Sequence, residues 1–148
     1  MPKSLWTEST RQEVVSRIKR LTPDTKPLWG KMDAPGMLAH LLDWMRMATG
    51  ELHIRERNLV IRHTPLKQFV IYWMPFPKGV PTAPELISRT SSDFAADVAA
   101  LCSQIEAYGA MATRADWPMH PAFGRMSNRA WGVLGYRHTD HHLRQFRV

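Results

Sequence analysis

Cysteine is nearly absent from this chain of 148 residues: Cys102 is the only one. No intramolecular disulfide can form, which agrees with a reducing compartment. Cys102 itself lies in the apolar helical stretch DVAALCSQIEAY, where an inert buried thiol is the expected state and a nucleophile is not. Long apolar runs are missing too. None approaches the roughly 18 to 20 residues of a membrane-spanning helix, and the opening MPKSLWTEST lacks the apolar centre of a secretory signal. The expected location is cytoplasmic. Internal repeats, low-complexity segments, zinc-finger spacings, aromatic RNA-binding signatures and basic zippers are likewise not found.

What the chain does carry is positive charge. Twenty Lys and Arg against 13 Asp and Glu give a formal net charge of +7. These cations are spread from Lys3 to Arg147, with RERNLVIR (residues 55 to 62) as the one cluster, so they read as a solvated surface. Nucleic-acid binding driven by charge ranks last among the readings. The length and a hydrophobic content of 44% fit one domain over residues 1–148 with a real core.

Four helices can be placed, which makes the expected class all-α. The first starts near Thr10, where Thr10-x-x-Glu13 has the form of a capping box, and presents Val14, Ile18 and Leu21 before Thr22-Pro23 stops it. The second opens at Asp33-Ala-Pro-Gly and runs to Gly50, with apolar residues around so much of its circumference that it must touch at least two neighbours. The third extends from about Ser92 to Tyr108, with Gly109 expected as its C′ residue. The fourth is capped by Ser127, stapled by Met126 and Trp131, and continues almost to the C-terminus. The long connection between the second and third helices carries Thr64-Pro65 and LKQFVIYWM, expected as a short fifth helix at about 65 to 74 although FVIYW is also strand-like. Prolines 75, 77, 81 and 84 follow. Four helices with one long crossover form a known bundle architecture that builds metal and ligand sites from facing side chains.

The fourth helix holds YRHTDHHLRQF, with three histidines within five residues. At 100° per residue, and with His138 set at zero, Trp131, Leu134, His142 and Gln145 all fall within about 40° of it. His138 and His142 therefore share the inward face at the i, i+4 spacing by which two helical imidazoles bind one ion, as in zinc-binding HExxH helices. His141 lies at about −60°, close enough that a slight rotation would exchange it for His142. Asp140 points outward between Arg137 and Arg144, as a surface ion-pair partner. A divalent cation needs a further ligand from a second helix, and His40, beside the Met37, Trp44 and Met47 flank, is the candidate. The competing account is ordinary: buried neutral histidines satisfied by carbonyls or hydroxyls. His53 and His63 lie in the irregular connection and His120 in the WPMHPAFG loop, where surface or loop-packing roles are expected.

Three segments, LTPDTKPLWGKMDAPGMLAHLLDWM, FPKGVPTAPEL and HPAFGRMSNRAWGVLGYRHTDHHLRQF, resemble the DinB-like, or YfiT-like, superfamily of small four-helix bundles, in a branch of unassigned function. The resemblance implies up-down-down-up topology, homodimers in many members, and a divalent metal, zinc or nickel, held by one histidine of the second helix and an HxxxH of the fourth. By motif position these are His40, His138 and His142. Characterised members transfer low-molecular-weight thiols to electrophiles, and others are proposed metal-dependent hydrolases. The implied function is a metal-dependent small-molecule enzyme that activates a thiol or a water. Gln145 could then hydrogen-bond a metal-bound group, or simply bond backbone at the helix end; no carboxylate stands out as a general base. The alternative is a metal-free, non-catalytic bundle that serves as a ligand-binding or interaction module.

Overall fold

Val14 and Ile18, one turn apart on the same face, are both fully buried and define the inner side of α1 (Glu8–Ile18) in a computed structural model that describes residues 1–79 and 93–148. The helix starts earlier than a capping box at Thr10 requires. Thr7 occupies the N-cap position, and Thr10 is a buried residue of the helix itself. The carboxylate such a box needs is committed elsewhere, because Glu13 pairs with Lys3 at 2.5 Å and with Arg17 at 3.8 Å.

The Asp33 carboxylate accepts from the Gly36 amide at 2.8 Å and opens α2 (Ala34–Thr49), which Gly50 closes in the left-handed conformation at φ 92°. Buried residues cover most of this helix, and it packs against two partners, α4 (Phe94–Gly109) and α5 (Asn128–Gln145). A 3₁₀ turn at Val60–Arg62 and the short helix α3 (Leu66–Tyr72) lie in the long connection, so the first four residues of FVIYW are helical, Trp73 caps the helix, and the segment is not a strand. The reason is tertiary. The Arg137 guanidinium of α5 donates to the Val70 carbonyl at 2.8 Å and to the carbonyls of Ile71 and Met74, satisfying the acceptors that the end of α3 leaves open.

Asp93 caps α4 through the Ala96 amide at 3.0 Å. The expected start near Ser92, prolines 81 and 84, and most of FPKGVPTAPEL lie outside the described residues. Gly109 is not a left-handed C′ residue. It is the last helical residue, and Ala110 beyond it is still right-handed. The glycine answers a packing need, since a β-carbon there would run into the Arg11 side chain as it reaches Glu106 and the carbonyls of Leu5 and Trp6.

The Ser127 hydroxyl accepts from the Ala130 amide at 3.2 Å to open α5, and Met126 and Trp131 are both in the core. α1 and α2 each pack against α4 and α5, and α3 packs against α5. Gly132 and Gly135 give α5 a bare strip. The segment 4–6 crosses it at Gly132, with the Leu5 amide bonded to the Gly132 carbonyl at 3.0 Å, and Leu5 and Tyr108 close in over Gly135. Among the described residues there are no strands, only an isolated bridge between His120 and Gly124. Among these residues no helix is long and apolar enough to cross a membrane.

Candidate metal centre

The heavily buried face of α2 and the histidine face of α5 meet, and three imidazoles converge between them. The rings of His40, His138 and His142 stand 4.7 to 5.0 Å apart, each pair close to edge-on, and one nitrogen from each lies within 4.8 Å of the other two. The His40 and His138 Nε2 atoms are 3.1 Å apart. Two nitrogens about 2.0 to 2.1 Å from one tetrahedral zinc stand about 3.3 to 3.4 Å apart, so this pair already has close to the spacing of two ligands on one ion. Drawing in the third nitrogen takes a side-chain adjustment of about 1 Å on the same geometry. The donor set is compatible with zinc or nickel, and three ligands leave a position open for an incoming group. His40 is buried, and His138 and His142 are half-buried.

The surroundings keep His138 and His142 neutral, the state a metal ligand requires. Burial, followed by the nearby His142 and His40, holds His138 well below the usual histidine range. Burial and His40 lower His142 to about 3, against an opposing contribution from Gln145. The interior is also under-satisfied. His138 Nδ1 is sealed from solvent and has no hydrogen-bond partner among the described residues, whichever of its nitrogens carries the proton. A buried orphan of this kind costs about 1–3 kcal/mol, which is the sort of defect that functional sites retain.

Of the two roles expected for Gln145, the structure shows the bond to backbone, and it adds a contact with His142. Its amide nitrogen donates to the Trp29 carbonyl at 2.8 Å, so its oxygen is the end that faces His142 Nδ1, at 2.9 Å. Nδ1 must then be the donor, and the lone pair of His142 sits on Nε2. The Leu28 amide also bonds the Gln145 carbonyl at 2.7 Å. Residues 28 to 30 thus belong to the site's support, and no spacing rule on α5 points to them.

Residues 3–148 match the family described as protein of unknown function (DUF1569). The chain belongs to the DUF1569 family. No curated protein and no solved structure matches it.

In this DUF1569 protein the adjacent His141 is not one of the three converging rings. It is packed between Trp29 at 5.6 Å and Phe76 at 5.8 Å, with its ring 5.2 Å from that of His142. Asp140 is not a surface group flanked by Arg137. It is largely covered and held by Arg17 of α1 at 2.6 Å and by Arg144 at 2.8 Å, because Arg137 is drawn away to the α3 carbonyls. His120 packs inside its loop: its Nδ1 accepts from the Ala122 and Phe123 amides at 3.1 and 3.2 Å, and burial and the Arg62 charge lower its pKa to about 3. His53 and His63 are exposed. Trp44 bridges core and site, 6.3 Å from Trp131 on one side and 5.0 Å from His138 on the other.

Proposed function

We propose that this DUF1569 chain is a divalent-metal-dependent enzyme acting on a small molecule, by thiol transfer to an electrophile or by hydrolysis, with the ion held by His40, His138 and His142. The observation that carries the proposal is the convergence of three imidazoles from two helices about one point. Zinc or nickel suits the all-imidazole donor set. The bundle itself is read as DinB-like, of four main helices in up-down-down-up order; the packing of α1 and α2 each against both α4 and α5 supports that reading. The single cysteine supports a cytoplasmic setting.

When bound, the ion lowers the pKa of a coordinated water towards about 7 or holds a thiol as its thiolate, so that either is a nucleophile at neutral pH. The chain's own groups do the rest. Gln145 keeps the His142 proton on Nδ1 and its lone pair on Nε2. Trp44 and Phe76 lie against His138 and exclude water from its flank.

Metal analysis of the protein purified without a histidine tag tests this. Close to one zinc or nickel per chain is expected, with strong depletion in His138→Ala and His142→Ala. A wild type that stays metal-free after incubation with either ion would leave the non-catalytic, ligand-binding bundle as the better account.

A further inference from the structure

A groove of about 630 Å³ is lined on one side by residues of α5, His141 among them. That volume is within the range of small-molecule sites, about 300–1,000 Å³. Its walls combine flat apolar faces, including Trp29, Trp73 and Phe76, with four cations, Lys3, Lys78, Arg137 and Arg144. Asp140 is the only carboxylate among the described lining residues, and Arg17 and Arg144 already neutralise it. Arg137 spends its hydrogen bonds on backbone carbonyls, which satisfy its donors without cancelling its charge. Lys78 has no carboxylate partner among the described residues. Its ammonium sits 4.5 Å from the centroid of the Trp29 ring. A half-apolar groove with uncompensated positive charge favours an anion with a hydrophobic body.

We infer that this groove binds a small organic anion with a flat apolar body, the body lying against the aromatic wall formed by Trp73 and Phe76 and the anionic group reaching Lys78. The Trp29 and Phe76 rings also flank His141, next to His142, so a ligand seated there would have one end beside the histidine cluster. That the groove is the substrate subsite of the cluster rests on the function proposed above; that it binds such anions does not.

The test is calorimetric titration of metal-free protein, prepared by chelation, with naphthalene-2-carboxylate and with the uncharged naphthalene-2-carboxamide. The carboxylate should bind about tenfold more tightly than the amide or better, as expected for one charge-assisted contact. Lys78→Glu should remove that preference. Arg55→Glu, the same charge change at an exposed position outside the groove, should leave it within about twofold. Equal binding of carboxylate and amide, no binding of either, or equal losses in Lys78→Glu and Arg55→Glu would overturn the inference. Because the titration uses metal-free protein, its failure is distinct from a failure to find metal. If the groove serves the cluster, then in metal-loaded protein, should the metal analysis succeed, bound carboxylate should slow removal of the ion by a chelator in the wild type and not in Lys78→Glu. An identical removal rate with and without carboxylate would overturn the subsite assignment.

Discussion

His142 Nδ1 and Gln145 Oε1 are 2.9 Å apart, and the bond between the Gln145 amide nitrogen and the Trp29 carbonyl fixes which atom of that amide faces the ring. A side chain three residues along the same helix thereby sets the tautomer of a candidate ligand. The partner that makes this unambiguous is a backbone carbonyl before α2, far away in sequence. Such outer contacts orient imidazole ligands and raise their basicity.

Gln145→Leu should therefore weaken zinc or nickel binding by about 10- to 100-fold, read by competition with a chromophoric chelator. The fold should survive, because the loss amounts to a few neutral hydrogen bonds at about 1 kcal/mol each. Unchanged affinity in a folded variant would mean that Gln145 does not orient His142.

Metal should stabilise the folded chain and not the unfolded one. At a hundredfold excess over Kd the gain is about 2.7 kcal/mol, which for a chain of this size raises Tm by roughly 5 to 10 °C. The increase should vanish in His40→Ala, His138→Ala and His142→Ala, and persist in His141→Ala. Loss of the shift in His141→Ala alone would move the ligand set by one residue.

Acid should destabilise the metal-free protein earlier than its carboxylates require. His120 and His142 are held near 3 and His138 well below its usual range, whereas in the unfolded chain all three titrate near about 6.5. Between those limits the unfolded state binds more protons than the folded state, so stability rises with pH across the window and is lost as pH falls from about 6.5 towards 3. Above about 6.5 these groups contribute no slope. Urea midpoints at pH 7.5, 6.0 and 5.0 should decline in that order, and a constant midpoint would contradict the neutral, buried state of the rings.

Arg137 fastens α3 to α5 through three backbone carbonyls. Arg137→Met keeps much of the aliphatic packing and removes the donors, at an expected cost of about 2–4 kcal/mol. Hydrogen exchange should accelerate at residues 70 to 74 before the rest of the protein. Uniform acceleration would show that α3 does not open independently.

The histidine face was legible because a helix converts spacing into direction. Four residues bring His142 back beside His138, and the caps at Asp33 and Ser127 are read from local chemistry that the structure reproduces. Gly109 and Thr10 misled for a physical reason. Each has the residue type of a helix end, but at 109 the missing β-carbon makes room for Arg11, and at Thr10 the helix had already begun under a segment tied down by that same arginine. Asp140 misled in a related way, since helical spacing reports which cations are near on its own helix and is silent about Arg17 arriving from α1.

The helices, the caps at Asp33 and Ser127, and an inward pair of imidazoles on the last helix are written into the sequence, because backbone hydrogen bonding and the 3.6-residue period act within one element. Packing between elements is what sets His40 3.1 Å from His138, holds Gln145 on Trp29, and turns His141 to the groove that Lys78 also lines. Those relationships join residues tens to about a hundred positions apart. They depend on how side-chain volumes fill the space between helices, which no periodicity along one chain encodes.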